Sequence, residues 1–159
     1  MLTNRAIRKQ LAKRVAVADS HFDLTKILFT EQLKFVNDPA PNKIAVCSRR
    51  SGKSVSCAVD LINTAIRTPG VVCLYITLSR SNAKRIIWRE IKRLNREHNL
   101  GGVENLSELS MTFNNASIIY LSGAKDANEI EKFRGLAIKL CYIDEAQSFK
   151  SHIKELVED

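Results

Sequence analysis

Cys47-Ser48-Arg49-Arg50-Ser51-Gly52-Lys53-Ser54 stands between two apolar segments of different period. Before it, Ile44-Ala45-Val46 has the look of a short buried strand. After it, Val55, Ala58, Leu61, Ile62, Ala65 and Ile66 recur at helical spacing. Strand, loop, Gly-Lys-Ser, helix is the order that a phosphate-binding loop requires. Loop amides from Ser48, Arg49, Arg50 and Ser51 and the positive end of the helix dipole attract an anion there. Gly52 lets the backbone approach a phosphate with no Cβ in the way. Lys53 then reaches the β- and γ-phosphates of a nucleotide, and the Ser54 hydroxyl is suited to ligate Mg²⁺. Cys47 occupies the position where such loops usually begin with glycine, and a bare Gly-Lys-Ser also occurs as a basic turn capping a helix.

Composition narrows the class. The 159 residues are 45% hydrophobic and 26% charged, as in an ordinary single globular domain. No apolar run approaches the length of about 20 residues that spans a bilayer, and the N-terminus lacks the apolar centre of a secretory signal. Cys47, Cys57, Cys73 and Cys141 are scattered, and His21, His98 and His152 have no metal-ligand spacing. This pattern leads to the expectation of a reduced, cytoplasmic protein without a zinc site. The net charge of +8 favours polyanionic partners, nucleic acid above all.

Outward from the loop, residues 1 to 18 read as a basic helix carrying Arg5, Arg8, Lys9, Lys13 and Arg14, so that 1–23 forms an N-terminal segment ahead of a domain over 24–159. Residues 24 to 37 read as a second helix, stopped by Asp38-Pro39-Ala40-Pro41. Pro69-Gly70 turns the chain into Val71-Val72-Cys73-Leu74-Tyr75-Ile76, an apolar run expected of a strand covered on both faces. Residues 81 to 98 show an amphipathic helix with Arg85, Arg89, Lys92 and Arg96 along one face. That stripe suits either solvent or a polyanion. Leu109 to Phe113 and Ile118 to Leu121, around Asn114-Asn115, read as a β-hairpin. The last strand, Leu136 to Ile143, runs directly into Asp144-Glu145-Ala146-Gln147, and 149–158 resembles the start of a helix. Strands alternating with helices predict an α/β fold with a mostly parallel sheet.

In such a sheet ligands lie beyond the carboxyl ends of the strands. An acidic pair closing an apolar strand is therefore the natural partner of the loop at 47–54. Asp144 would hold Mg²⁺ opposite Ser54, and Glu145 would orient the attacking water as general base.

These elements, taken in order, resemble the ATPase domain of the large terminase subunit of tailed bacteriophages. The resemblance rests on Cys-Ser-Arg-Arg-Ser-Gly-Lys-Ser, the hairpin with its Asn-Asn turn, Phe133-Arg134-Gly135 and Cys-Tyr-Ile-Asp-Glu-Ala-Gln, and it covers roughly residues 25 to 148. It implies a P-loop NTPase three-layer sandwich with N-terminal helices, and ATP and Mg²⁺ as cofactors. It implies Gln32 as the adenine-binding residue, Arg49 as a γ-phosphate sensor in cis, and Arg134 as an arginine stabilising transition-state charge, toward a neighbouring subunit of a homo-oligomer. The implied partners are double-stranded DNA, the portal of a procapsid and a small terminase subunit, with no membrane. The family's coupling strand and nuclease domain have no counterpart after Gln147, so an N-terminal fragment, with a sheet incomplete at its C-terminus, is expected. Two other readings remain: a non-catalytic basic nucleic-acid-binding module, and a helicase-like ATPase suggested by Asp-Glu-Ala-Gln.

Overall fold

The computed structural model describes residues 22–48, 50–125 and 127–149. The predicted basic helix at 1–18, Arg49, and the helix expected to run on to residue 158 fall outside those residues, the last of them apart from Phe149.

Three short elements precede the sheet. Helix α1 (Leu24–Ile27) starts on Asp23, whose carboxylate accepts from the Thr25 amide at 3.0 Å. Helix α2 (Thr30–Asn37) follows after a break at Leu28 and Phe29, both extended. The single helix expected over 24–37 is thus two, because burying Leu28 turns the chain and leaves Phe29 outside. Helix α3 (Lys53–Arg67) then lays Ala58, Val59, Leu61, Ile62, Ala65 and Ile66 against the sheet. Strand β1 (Val72–Thr77) leads into α4 (Arg80–Glu97), which Ser79 caps by accepting from the Asn82 amide. Strands β2 (Val103–Asn105), β3 (Ser110–Thr112) and β4 (Ile118–Gly123), helix α5 (Ala127–Glu131) and strand β5 (Ile138–Ile143) complete the fold, followed by a 3₁₀ turn at Ala146–Ser148.

The strands lie in the order β2-β3-β4-β1-β5. β1 pairs in parallel with β4 on one side and with β5 on the other, while β3 runs antiparallel to both β2 and β4. Four strands therefore share one direction, and the mostly parallel sheet expected from the sequence is present. β1 is buried on both faces. Cys73 and Tyr75 join the core formed by α3 and α4, whereas Leu74 and Ile76 pack with Ala124, Ile130 and Phe133 on the opposite side. The second outer layer is thin, since the five residues of α5 supply its helix. Replacing Leu61 or Ile62, both fully buried, with alanine removes contacts worth about 2–5 kcal/mol.

One expected element differs. Ile44-Ala45-Val46 has no regular secondary structure and belongs to no ladder among the described residues, and Ile44 and Val46 are 91% and 95% exposed. A strand needs a neighbour for its amides and carbonyls. β5 is hydrogen-bonded to β1 along one edge only, and its other edge has no strand partner among the described residues. The chain instead is tied down by Lys43, whose ammonium donates to the carbonyls of Phe35, Val36 and Asp38 at 3.0, 3.1 and 2.9 Å.

Candidate functional site

The direction of α3 sets the site. Its C-terminal end turns through Thr68 to Gly70 into the start of β1, so helix and strand run antiparallel. Lys53, at the other end of about 22 Å of helix, lies toward the carboxyl edge of the strands. β5 is parallel to β1 and ends at Ile143, so Asp144 and Glu145 leave the sheet on that same edge. The proximity is electrostatic as well as topological. Burial first, then the carboxylates of Asp144 and Asp60, push the Cys57 thiol up to about 12, and Cys57 stands one turn beyond Lys53 on α3.

The loop itself is bent by two residues in the left-handed region, Arg50 at φ 63° and Gly52 at φ 78°. Alternation of this kind turns successive amides toward one concavity, a shape that binds anions. The φ of Gly52 favours glycine, and a Cβ there would stand 2.5 Å from Gln32 Nε2 and displace that side chain. The Lys53 ammonium donates to the carbonyls of Cys47 and Ser48 at 3.2 and 2.9 Å, which folds it back across the loop. Ser51 Oγ is buried and finds no hydrogen-bond partner among the described residues. An orphaned hydroxyl, converging amides and an ammonium make a donor set that fits phosphate oxygens. Ser54 follows on the first turn of α3.

Gln32 reaches the loop from α2. Its Nε2 donates to the Gly52 carbonyl at 2.9 Å, and its Oε1 accepts from the Phe29 amide at 3.2 Å. The side chain assigned by resemblance to adenine thus braces the phosphate loop, with the exposed ring of Phe29 beside it.

Asp144 is held twice by β1. Its amide donates to the Ile76 carbonyl at 2.8 Å, and its Oδ2 accepts from the Tyr75 hydroxyl at 2.5 Å. Burial and the neighbouring Asp144 keep the Tyr75 phenol well above its ordinary range, so it remains a donor. Glu145 is exposed and sits at φ 59°. That conformation costs an L-residue about 1–2 kcal/mol and is concentrated at functional positions. Among the described residues no group of three or more His, Cys, Asp or Glu side chains can hold a metal ion. A bound magnesium ion would therefore take ligands from the nucleotide as well as from Ser54 and Asp144, the usual manner of Mg²⁺.

Arg134 does not join this cluster. It lies in the turn that feeds the start of β5, toward the opposite end of that strand from Asp144, and its guanidinium donates to Glu131 at 3.1 Å. Within the basic stripe of α4, Lys92 is 3.8 Å from Glu104, and beside the stripe Arg93 is paired with Glu90 and Glu97. Arg85, Arg89 and Arg96 remain exposed.

Tyr75, Tyr142 and Asp60 escaped the sequence reading. Tyr142 donates to Asp60 Oδ2 at 2.7 Å, one strand over from the Tyr75–Asp144 pair, and burial raises the Asp60 carboxyl above its ordinary value. The signals were present: a carboxylate on the apolar face of α3, and tyrosines within apolar strand runs, whose hydroxyls need partners when buried.

Residues 40–159 match the family described as phage terminase large subunit. No curated protein matches the chain. Among solved structures, the large terminase of a thermophilic bacteriophage superposes with a TM-score of 0.65 at 17% identity, over 81% of this chain and 35% of that one. The large terminase ATPase domain of a Thermus phage superposes with a TM-score of 0.57 at 23% identity, over 75% of this chain and 53% of that one. The chain thus spans about a third of the first and about half of the second, and the likeness in both is one of fold. No helix of the described residues is long and apolar enough to cross a membrane.

Proposed function

The chain belongs to the phage terminase large subunit family, and on that premise we propose that it binds and hydrolyses ATP as the motor domain of a DNA-packaging machine. The observation that carries this reading is the shared edge: the N-terminal end of α3, with the loop before Lys53, lies toward the same edge at which the acidic pair at 144 and 145 leaves β5, with Asp144 close enough to α3 to act on Cys57. Ser48 to Ser51 and Gly52 cradle the phosphates through their amides. Lys53 neutralises the outer phosphates. Ser54 and Asp144 would hold Mg²⁺, which when bound offsets charge on the phosphate oxygens. Glu145 orients the attacking water and accepts its proton. Gln32 couples the base to the loop through Gly52, and Arg49 senses the γ-phosphate.

Arg134, remote from its own loop, serves a nucleotide held by a neighbouring subunit of a homo-oligomer. Double-stranded DNA is the polyanion moved, met by the exposed arginines of α4. A portal and a small terminase subunit complete the machine. A non-catalytic DNA-binding module would need neither the buried orphan hydroxyl of Ser51 nor the doubly held Asp144.

Two variants test the assignment. Lys53→Ala is expected to lower Mg·ATP affinity at least about 100-fold, the loss of roughly 3 kcal/mol of charge-assisted contact, measured by calorimetry. Unchanged affinity removes the loop from the mechanism. Glu145→Gln is expected to bind ATP normally and to lose turnover by about 10²–10⁴-fold in a phosphate-release assay. Hydrolysis at the parental rate in that variant would take Glu145 out of its role.

A further inference from the structure

We propose that Tyr75 is a positioning residue for the metal-binding carboxylate, its hydroxyl fixing Asp144 through Oδ2 and leaving Oδ1 to the metal. This rests on Asp144 holding Mg²⁺ as set out above, and it adds a residue from the middle of a strand to the edge that carries the chemistry. Tyr75 is fully buried, and its ring packs in the core between the sheet and helices α3 and α4. The hydroxyl therefore has one stiff path to its partner, 2.5 Å away and 69 positions along the chain. The next residue of β1, Ile76, accepts the Asp144 amide. Backbone and side chain of Asp144 are thus set by two consecutive residues of one strand. A free carboxylate beyond a strand end samples several rotamers, and a hydrogen bond from a rigid phenol selects among them. Partners of this kind behind a metal ligand typically contribute 10–100-fold in metal affinity.

The fold supplies its own control. Tyr142 is the register partner of Tyr75 and donates to Asp60 at 2.7 Å, a bond of the same kind made from the neighbouring strand to helix α3. Asp60 lies well down α3 from Lys53 and Ser54 and has no part in holding the nucleotide.

The test titrates Mn²⁺ into the full chain with ATP present, read by electron paramagnetic resonance, together with ATP affinity in EDTA and the thermal midpoint. Tyr75→Phe is expected to weaken Mn²⁺ about 10-fold while ATP affinity in EDTA stays within about twofold. Tyr142→Phe is expected to leave Mn²⁺ affinity within about twofold at a similar thermal midpoint. Parental Mn²⁺ affinity in Tyr75→Phe, or an equal loss in both variants, overturns the proposal alone. Absence of ATP-dependent Mn²⁺ binding by the unaltered chain overturns the nucleotide-site reading, and this proposal with it.

Should Tyr75→Phe not fold, the unaltered sequence carries the test by fluorine NMR. The chain has three tyrosines. With 3-fluorotyrosine incorporated, Tyr120→Phe and Tyr142→Phe assign two resonances and leave Tyr75 by elimination. Adding Mg²⁺ to the ATP-bound chain is expected to shift the Tyr75 resonance more than that of Tyr142. An unmoved Tyr75 resonance overturns the proposal.

Discussion

Thr77, at the carboxyl end of β1, is fully buried, and its hydroxyl has no hydrogen-bond partner among the described residues. Leaving such a donor unpaired costs about 1–3 kcal/mol, whereas a methyl group of the same shape costs nothing in hydrogen bonding. Thr77→Val is therefore expected to stabilise the protein by about 1 kcal/mol, seen as a thermal midpoint a few degrees higher. Glu145 presents the opposite case: its left-handed backbone is unfavourable locally and is held by the turn that follows, where the Ser148 amide donates to its carbonyl at 2.8 Å. Both residues stand at the edge where Asp144 emerges, and locally unfavourable positions of this kind recur where chemistry occurs.

Helix α3 is the element that joins loop to sheet, and its far end is clamped. Asn115, in the turn before β4, donates through Nδ2 to the carbonyls of Ala65 and Ile66 at 2.8 and 3.1 Å, satisfying groups that a helix terminus leaves open. Ser117 adds a bond to the Thr68 carbonyl at 2.7 Å. Asn115→Ala is expected to destabilise the fold by about 1–3 kcal/mol in denaturant unfolding, with nucleotide affinity unchanged because the loop lies at the other end. Most elements could be read from the chain: α3 and α4 from their apolar stripes, β1 from an unbroken apolar run, and the hairpin from alternation around Asn114-Asn115. Strand β2 could not, because Val103, Glu104 and Asn105 are all exposed and carry no period of a core-facing strand. Ile44 to Val46 misled for the converse reason, since an apolar triplet looks alike whether or not a neighbour pairs with it. The loop and Asp144 were legible through order and spacing. Tyr75 and Asp60 were not, because their partners lie 69 and 82 positions away and nothing local marks such pairs.

For the whole molecule, the sheet is thickly covered on the face of α3 and α4 and thinly on the face of α5. Among the described residues β5 has no strand partner on its outer edge and Ile44 and Val46 are exposed, a combination that invites strand-to-strand association. Ile44→Lys with Val46→Lys is expected to reduce concentration-dependent light scattering while changing stability by no more than about 0.5 kcal/mol, as for exposed positions generally. β1 carries the remaining consequence. Its carbonyls at Ile76 and Thr77 accept from Asp144 and Ala124, so neighbouring atoms of one strand grip the acidic corner on one flank and the hairpin on the other. Arg80 opens the cationic helix only three residues further on. A tug on that helix by a bound polymer would arrive at the carboxylate along a tendon of roughly three residues, at most about 10 Å of chain.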